Sequence, residues 1–212
     1  MSGETEDHDL RQHCRAARLD VDAPGRARAA DEVAQRVETL VRDRSPGRVG
    51  TYLPTDGELD PTLAIDALRE AGWRPYLPVI GDGRSMTFAE WVVDSRLVAN
   101  RFGIDEPEER STSLSARELD LVLVPCVAVD PAGNRIGFGA GYYDRALSDA
   151  EDPQMRSSRP RTLLVGVVFD VQVVPSLRPE PWDVPLDAVI CESATIVTGA
   201  RTWPPAGRAG TG

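Results

Sequence analysis

The chain has 212 residues, enough for one domain with a proper core, and 41% of them are hydrophobic. Its 34 carboxylates outnumber its 24 cations to give a formal net charge of -10, which argues against broad binding to nucleic acid or an anionic membrane and points to small-molecule partners. Every one of the 24 cations is an arginine, so a grip on phosphate or carboxylate has to come from guanidinium forks or backbone amides, and a catalytic lysine is excluded.

The polar start, MSGETEDHDLRQHC, has no apolar run behind a basic head and is not a secretory signal; residues 1–8 are expected to form a ragged acidic end. Val33, Val37, Leu40 and Val41 recur on one face and predict a helix over 26–44, ended by Ser45-Pro46-Gly47. RVGTYLP (48–54) reads as a strand, and a second helix is bracketed by Asp60 as N-cap, Pro61 at its first position and Gly72 past its end. A strand follows at 74–80, and 86–91 and 97–102 read as short strands or extended segments. LDLVLVPCVAV (119–129) is the strongest strand, apolar on both faces and therefore covered on both. GYYDRALSDA opens a helix, 149–160 reads as a charged flexible insertion, and 162–169 and 186–193 are two more buried strands. The tail from 201 is expected to be disordered. Strands alternating with helices imply one α/β domain over 9–200, three-layered, with a mostly parallel sheet between helices on both faces.

The longest apolar run, Leu121 to Val129, is too short to cross a bilayer. Cys14, Cys126 and Cys191 are widely spaced and odd in number, which fits reduced thiols in a cytoplasmic protein. A monomer is expected.

The stretch GNRIGFGAGYYDR (133–145) lies between the strongest strand and a helix, where an α/β sheet places its ligands. Alternate glycines at 137, 139 and 141 let amides turn toward an anion, and the helix that follows adds its free N–H groups. The spacing fits neither a P-loop nor a Rossmann fingerprint, and on the pattern alone a structural turn and an anion cradle stand level. Asp144, in the first turn of that helix, is placed to hold Mg²⁺ against phosphates; its plainer role is to complement the helix dipole. One of Tyr142 and Tyr143 is expected to pack into the core.

GFGAGYYDR with the upstream VLVPCVAVDPAGNRIG resembles the 5-formyltetrahydrofolate cyclo-ligase (5,10-methenyltetrahydrofolate synthetase) family. LRQHCRAAR resembles the family's basic opening helix, YLPTDGELD its glutamate-bearing strand end, NRFGIDEP its Gly-Ile-x-Glu-Pro segment and VVPSLRPEPWDVPLDAVICE its closing aspartate motif, in the family's order across most of residues 10–192. The resemblance implies closure of 5-formyltetrahydrofolate to its 5,10-methenyl form with ATP converted to ADP and phosphate, through phosphorylation of the formyl oxygen and attack by N10. It implies that Gly137, Phe138, Gly139, Ala140, Gly141, Tyr142 and Tyr143 surround the ATP phosphates, joined by Arg11 and Arg15 from the opening helix. Asp144 and Asp183 become magnesium carboxylates, Arg135 and Asp144 the catalytic pair, and Glu58 the carboxylate of the folate pocket. Tyr52, Phe88, Trp91 and Tyr143 are candidates to contact the folate rings, although aromatics on alternating strands belong more often to the core. For Arg18 a solvated helix face is an equal alternative. Family members commonly carry lysine at Arg11, a basic residue or tyrosine at Phe138, glycine or lysine at Ala140, and histidine or asparagine at Trp182. The departures at Phe138 and Ala140 remove phosphate donors and leave more of the grip to the backbone, which implies weaker ATP affinity.

Two rivals remain. A nucleotide or sugar-phosphate sensor of related fold would keep the loop, but the chain has no basic appendage. A phosphosugar isomerase would want a lysine or an acid/base pair in the pocket.

Overall fold

The computed structural model describes residues 3–151 and 160–199. Helix α1 (Gly3–Leu19) begins inside the stretch expected to be irregular. Helix α2 (Ala23–Val41) starts earlier than its apolar stripe suggested, because Asp22 accepts the Gly25 amide (2.7 Å) and Pro24 fits the first turn. Strand β1 (Arg48–Gly50) is followed by α3 (Thr62–Glu70). The helix starts one residue later than expected, with Pro61 as its N-cap, and Asp60 just before it accepts both the amide (2.9 Å) and the hydroxyl (2.6 Å) of Thr62. Strands β2 (Arg74–Ile80) and β3 (Met86–Glu90) form a hairpin, and β4 (Leu97–Ala99) pairs with β5 (Asp105–Pro107) in a small separate ribbon.

The expected strand at 119–129 breaks in two. Strand β6 (Leu121–Pro125) stays in the main sheet, whereas β7 (Ala128–Val129) leaves it to pair with β8 (Arg135–Ile136). At the break, the buried Gln172 donates to the carbonyls of Cys126 (2.8 Å) and Val127 (2.9 Å), so a side chain replaces the ladder. Helix α4 (Tyr142–Glu151), β9 (Leu163–Val167), β10 (Ala188–Ile190) and β11 (Thr195–Val197) complete the chain. Most of the proposed insertion at 149–160, and the tail from 201, lie outside the described residues.

The main sheet has the order β11-β10-β9-β6-β1-β2-β3. Its five inner strands are parallel and only β3 and β11 run the other way. The strand alternation then sorts the core into two layers. Leu121 and Leu123 of β6 pack with Val33, Val37, Ile65 and Leu68 under α2 and α3. Val122 and Val124 point to the opposite face, with Leu147 of α4. The three-layer α/β expectation is therefore met. A third cluster, of Cys14 with Val127, Ala128 and Ile136, docks α1 onto the β7–β8 ribbon.

This topology brings the carboxyl ends of β1, β2, β6, β9 and β10 to one edge, and the turns that follow them, together with α1, meet there.

Candidate active site

The glycine loop is presented by the β7–β8 ribbon. Asp130 organises the turn of that ribbon by accepting the Ala132 and Asn134 amides (3.0 and 2.9 Å) and the Leu177 amide (2.8 Å). The loop that follows is open: a Cβ added at Gly137, Gly139 or Gly141 would meet nothing within 4 Å. Gly139 and Gly141 take φ of 93° and 72°, which other residues adopt only with strain. The loop runs straight into α4, whose first amides face outward with the positive end of the helix dipole. An open backbone cradle of this kind fits a phosphate chain.

Arg135 lies beneath it with only 4% of its side chain exposed. Its guanidinium donates to the Asp144 carboxylate on one side and to the Val184 carbonyl on the other. The carbonyl of Trp182 accepts the Ser148 hydroxyl of α4 (3.3 Å). Asp183 thus sits between two residues tied to Arg135 and to α4, and its own carboxylate accepts the Glu180 amide (2.9 Å). Arg135 and the Ser148–Trp182 bond both tie the two acidic segments together. No group of three or more His, Cys, Asp or Glu able to hold a metal forms among the described residues. One or two carboxylates completed by phosphate oxygens remain compatible with Mg²⁺, which usually keeps most of its shell for water and substrate.

Glu58 occupies the turn after β1. It is 8% exposed, and its Oε2 accepts the amide (2.9 Å) and hydroxyl (3.4 Å) of Thr55. Its Oε1 is buried with no hydrogen-bond partner, as is the Tyr143 hydroxyl of α4. Burial pushes the Glu58 carboxyl from its usual 4.5 up to about 7, against the hydrogen bonds from Thr55 and the charge of Arg18. Burial, helped by the Glu58 charge, raises the Tyr143 hydroxyl, and burial takes the neighbouring Cys126 thiol up to about 12. Cys126 is accordingly inert. A buried carboxylate oxygen and a buried hydroxyl, each lacking a partner, are polar groups that a heterocycle with both donors and acceptors could satisfy.

Helix α1 closes the site from the side. Arg11 Nε donates to the Gly137 carbonyl (2.9 Å). Arg15 pairs with Asp56 (2.8 Å) and lies 5.9 Å from the centre of the half-exposed Phe138 ring. The hydrogen bond from Arg15, joined by Arg18, holds the Asp56 carboxyl below the usual range. The opposite wall is the β4–β5 ribbon, where Glu106 accepts the Ile80 amide (3.0 Å) and the Asn100 side chain (2.7 Å), pinning the ribbon to the end of β2. From that ribbon Arg101 donates to the Tyr142 hydroxyl, and Phe102 meets the Tyr142 ring edge-on at 6.0 Å.

The structure therefore gathers Arg11, Arg15, Glu58, Arg135, residues 137–144 and Asp183 at one edge. It takes one expected aromatic contact, Trp91, away from that edge and buries another, Tyr52, beside Glu58. Tyr52 is 4% exposed in the α2–α3 layer, and its hydroxyl is used by the Leu59 carbonyl (2.7 Å). Trp91 lies at the other end of the sheet, where its amide bonds Pro75 at the start of β2 (2.8 Å) and Arg69 stacks on its ring at 4.2 Å. Phe88 is fully buried. The strand alternation marks such residues as core and cannot say at which end of the strand they fall. Arg18 is the reverse case: the solvated face is wrong, because its side chain is 0% exposed. The stripe Arg11, Arg15, Arg18 at i, i+4 and i+7 was the available signal.

The sequence model of the 5-formyltetrahydrofolate cyclo-ligase family matches residues 4–192. The 5-formyltetrahydrofolate cyclo-ligase of Escherichia coli (strain K12) is 38% identical over 148 residues, 68% of this chain and 78% of the relative. That of Haemophilus influenzae is 33% identical over 180 residues, 84% of this chain and 92% of the relative. The solution structure of Aquifex aeolicus 5,10-methenyltetrahydrofolate synthetase superposes with a TM-score of 0.77 at 26% identity, over 96% of this chain and 99% of the other. With a match that runs unbroken from α1 through the last parallel strand, and a fold that agrees over nearly its whole length, this chain belongs to the 5-formyltetrahydrofolate cyclo-ligase family.

Proposed function

We propose that the protein converts 5-formyltetrahydrofolate to 5,10-methenyltetrahydrofolate with consumption of ATP in the presence of Mg²⁺. The observation that carries this reading is the meeting, at one sheet edge, of an open glycine cradle with a buried carboxylate oxygen and a buried hydroxyl that lack partners. The first suits a phosphate chain and the second a pterin. When bound, ATP and Mg²⁺ supply the phosphoryl group that makes the formyl oxygen a leaving group and the positive charge that balances it.

The chain's own residues contribute position and charge. The amides of 137–141 and the start of α4 hold an anion without side-chain donors at 138 and 140. Asp144, with Asp183 from the neighbouring segment, is assigned to the metal. Arg135 stands ready as a positive partner for transferred phosphate, its direction set by the Val184 carbonyl. Arg11 and Arg15 flank the nucleotide side. Glu58 accepts a donor of the folate or orients N10, and Tyr143 offers a hydroxyl beside it. None of these groups attacks the substrate; rate comes from aligning the formyl oxygen, the phosphate and N10 while excluding water. The same reading includes action as a monomer, since one chain supplies every site residue, and a cytoplasmic setting, in keeping with three buried free cysteines. No described helix is long and apolar enough to cross a membrane.

Mixing the protein with 5-formyltetrahydrofolate, ATP and Mg²⁺ should produce the methenyl chromophore at a rate that depends on both substrates. Folate and nucleotide binding without that absorbance would overturn the reading in favour of a sensor.

A further inference from the structure

The turn that carries Glu58 holds its own shape but not its place. Asp56 has φ 50° and Gly57 φ 75°, an Asp-Gly pair suited to left-handed backbone, and the Glu58 amide closes the turn on the Thr55 carbonyl (3.0 Å); where the turn sits against the rest of the chain has to be fixed from outside. The bonds to Glu58 itself come from Thr55 of the same turn, so its direction follows whatever fixes that turn. Arg18 does so twice, donating from Nε to the Asp56 carbonyl (3.0 Å) and from Nη2 to the Asp56 carboxylate (2.6 Å). Arg26 adds a bond from Nη1 to the Gly57 carbonyl (2.8 Å). The turn is also pressed against the end of α1: a Cβ on Gly57 would lie 2.7 Å from Leu19 Cδ2.

Arg15 shares the same carboxylate, and exposure separates the two. Its side chain is 45% exposed and that of Arg18 is 0% exposed. An exposed ion pair contributes little, whereas losing one partner of a buried pair is costly. A buried guanidinium is itself expensive, and this one has Nη1 without a hydrogen-bond partner. Phe138 of the glycine loop covers it at 5.1 Å, so the same side chain touches both halves of the site.

We infer that Arg18 is the residue through which helix α1 sets the Glu58 carboxylate, a positioning residue for the folate half of the site. The identity of the ligand rests on the cyclo-ligase reading; the clamp does not.

The test is to compare wild type with Arg18→Met and Asp56→Asn, measuring KM for 5-formyltetrahydrofolate and for ATP, and the Kd of the folate alone by calorimetry. In Arg18→Met the folate KM and Kd should both rise about tenfold, the loss expected of a charge-assisted clamp, while the ATP KM stays within about threefold. Asp56→Asn keeps the carbonyl acceptor and should show a smaller rise on the folate side only. Equal rises for both substrates, or unchanged folate affinity in either folded variant, would overturn the assignment. If Arg18→Met does not fold, Asp56→Asn decides alone. Wild-type protein that binds the folate without turnover removes the catalytic reading, and the binding arm then decides the role of Arg18.

Discussion

The glycine loop at 137–141 and the carboxylate turn at 54–58 lie at the same end of the sheet, and both use left-handed backbone. The first is open, with free space around Gly139 and Gly141, and its residues 138, 139 and 140 are exposed. The second is packed against α1, held by Arg15, Arg18 and Arg26, and ends in a carboxylate that burial has made a weak acid. The difference follows from what each half would hold. A triphosphate is highly charged and brings a metal and water, so backbone amides in an exposed loop suffice. A neutral heterocycle gains little from charge in water, and its recognition depends on desolvated polar groups fixed in advance.

Removing charge from the open half should have the largest effect. Asp144→Asn keeps the size of the side chain but weakens the pairing with Arg135 and removes the carboxylate proposed for the metal; turnover, followed by the methenyl absorbance, should fall by about 10³-fold with the circular dichroism spectrum unchanged. Wild-type activity in this variant would remove Asp144 from the proposed chemistry.

In the packed half, Glu58→Gln should raise the folate KM about 30-fold, as expected when a buried charged acceptor is lost, and leave the ATP KM nearly constant. Its effect on stability runs the other way. Because Glu58 has a folded value of about 7 against its usual 4.5, the folded state holds an extra proton between the two. The stability tied to this group is fully present below about pH 4.5 and is lost as pH rises through about 7. Glu58→Gln should flatten that slope and stabilise the ligand-free protein at pH 8 by up to about 3 kcal/mol in urea melts. A wild-type profile flat across this window would contradict the buried, partner-poor carboxylate.

Alanine at one glycine of each region sharpens the contrast. Gly57→Ala adds both left-handed strain and a clash with Leu19, for about 2 kcal/mol, and should weaken folate binding. Gly139→Ala meets no neighbour, should cost about 1 kcal/mol for the strain alone, and should weaken ATP binding instead. Equal losses in thermal melts would erase the distinction between the two turns. The smallest effect is expected from restoring a donor to the open loop. Ala140→Lys should lower the ATP KM about threefold, in line with an exposed charge contact of under about 1 kcal/mol.

Much of this was legible in the residues. The period of Val33, Val37 and Val41, the Asp60-Pro61 start of α3 and the unbroken apolar run at 121–125 specify helices and a doubly covered strand through local chemistry and burial. The glycine loop was visible as a loop between strand and helix, but its pattern alone left a structural turn and an anion cradle level. The ends of elements were harder. The strand at 119–129 breaks where Gln172, more than forty residues later, bonds the Cys126 and Val127 carbonyls. Trp91 was misplaced for a related reason: alternation tells which residues face a core, while the end of the sheet they occupy depends on strand direction and order. Arg18 shows the same limit for a charge. Nothing local distinguishes it from Arg15 one turn earlier. Its burial comes from the convergence of α1, the turn after β1 and Phe138, three segments far apart in the chain. Local propensity and periodicity are properties of neighbours in sequence, so the chain alone determined its elements, its layer pattern and its glycine loop. Which polar groups lose water, and hence which carboxylate is weakened and which arginine holds it, was decided only by packing.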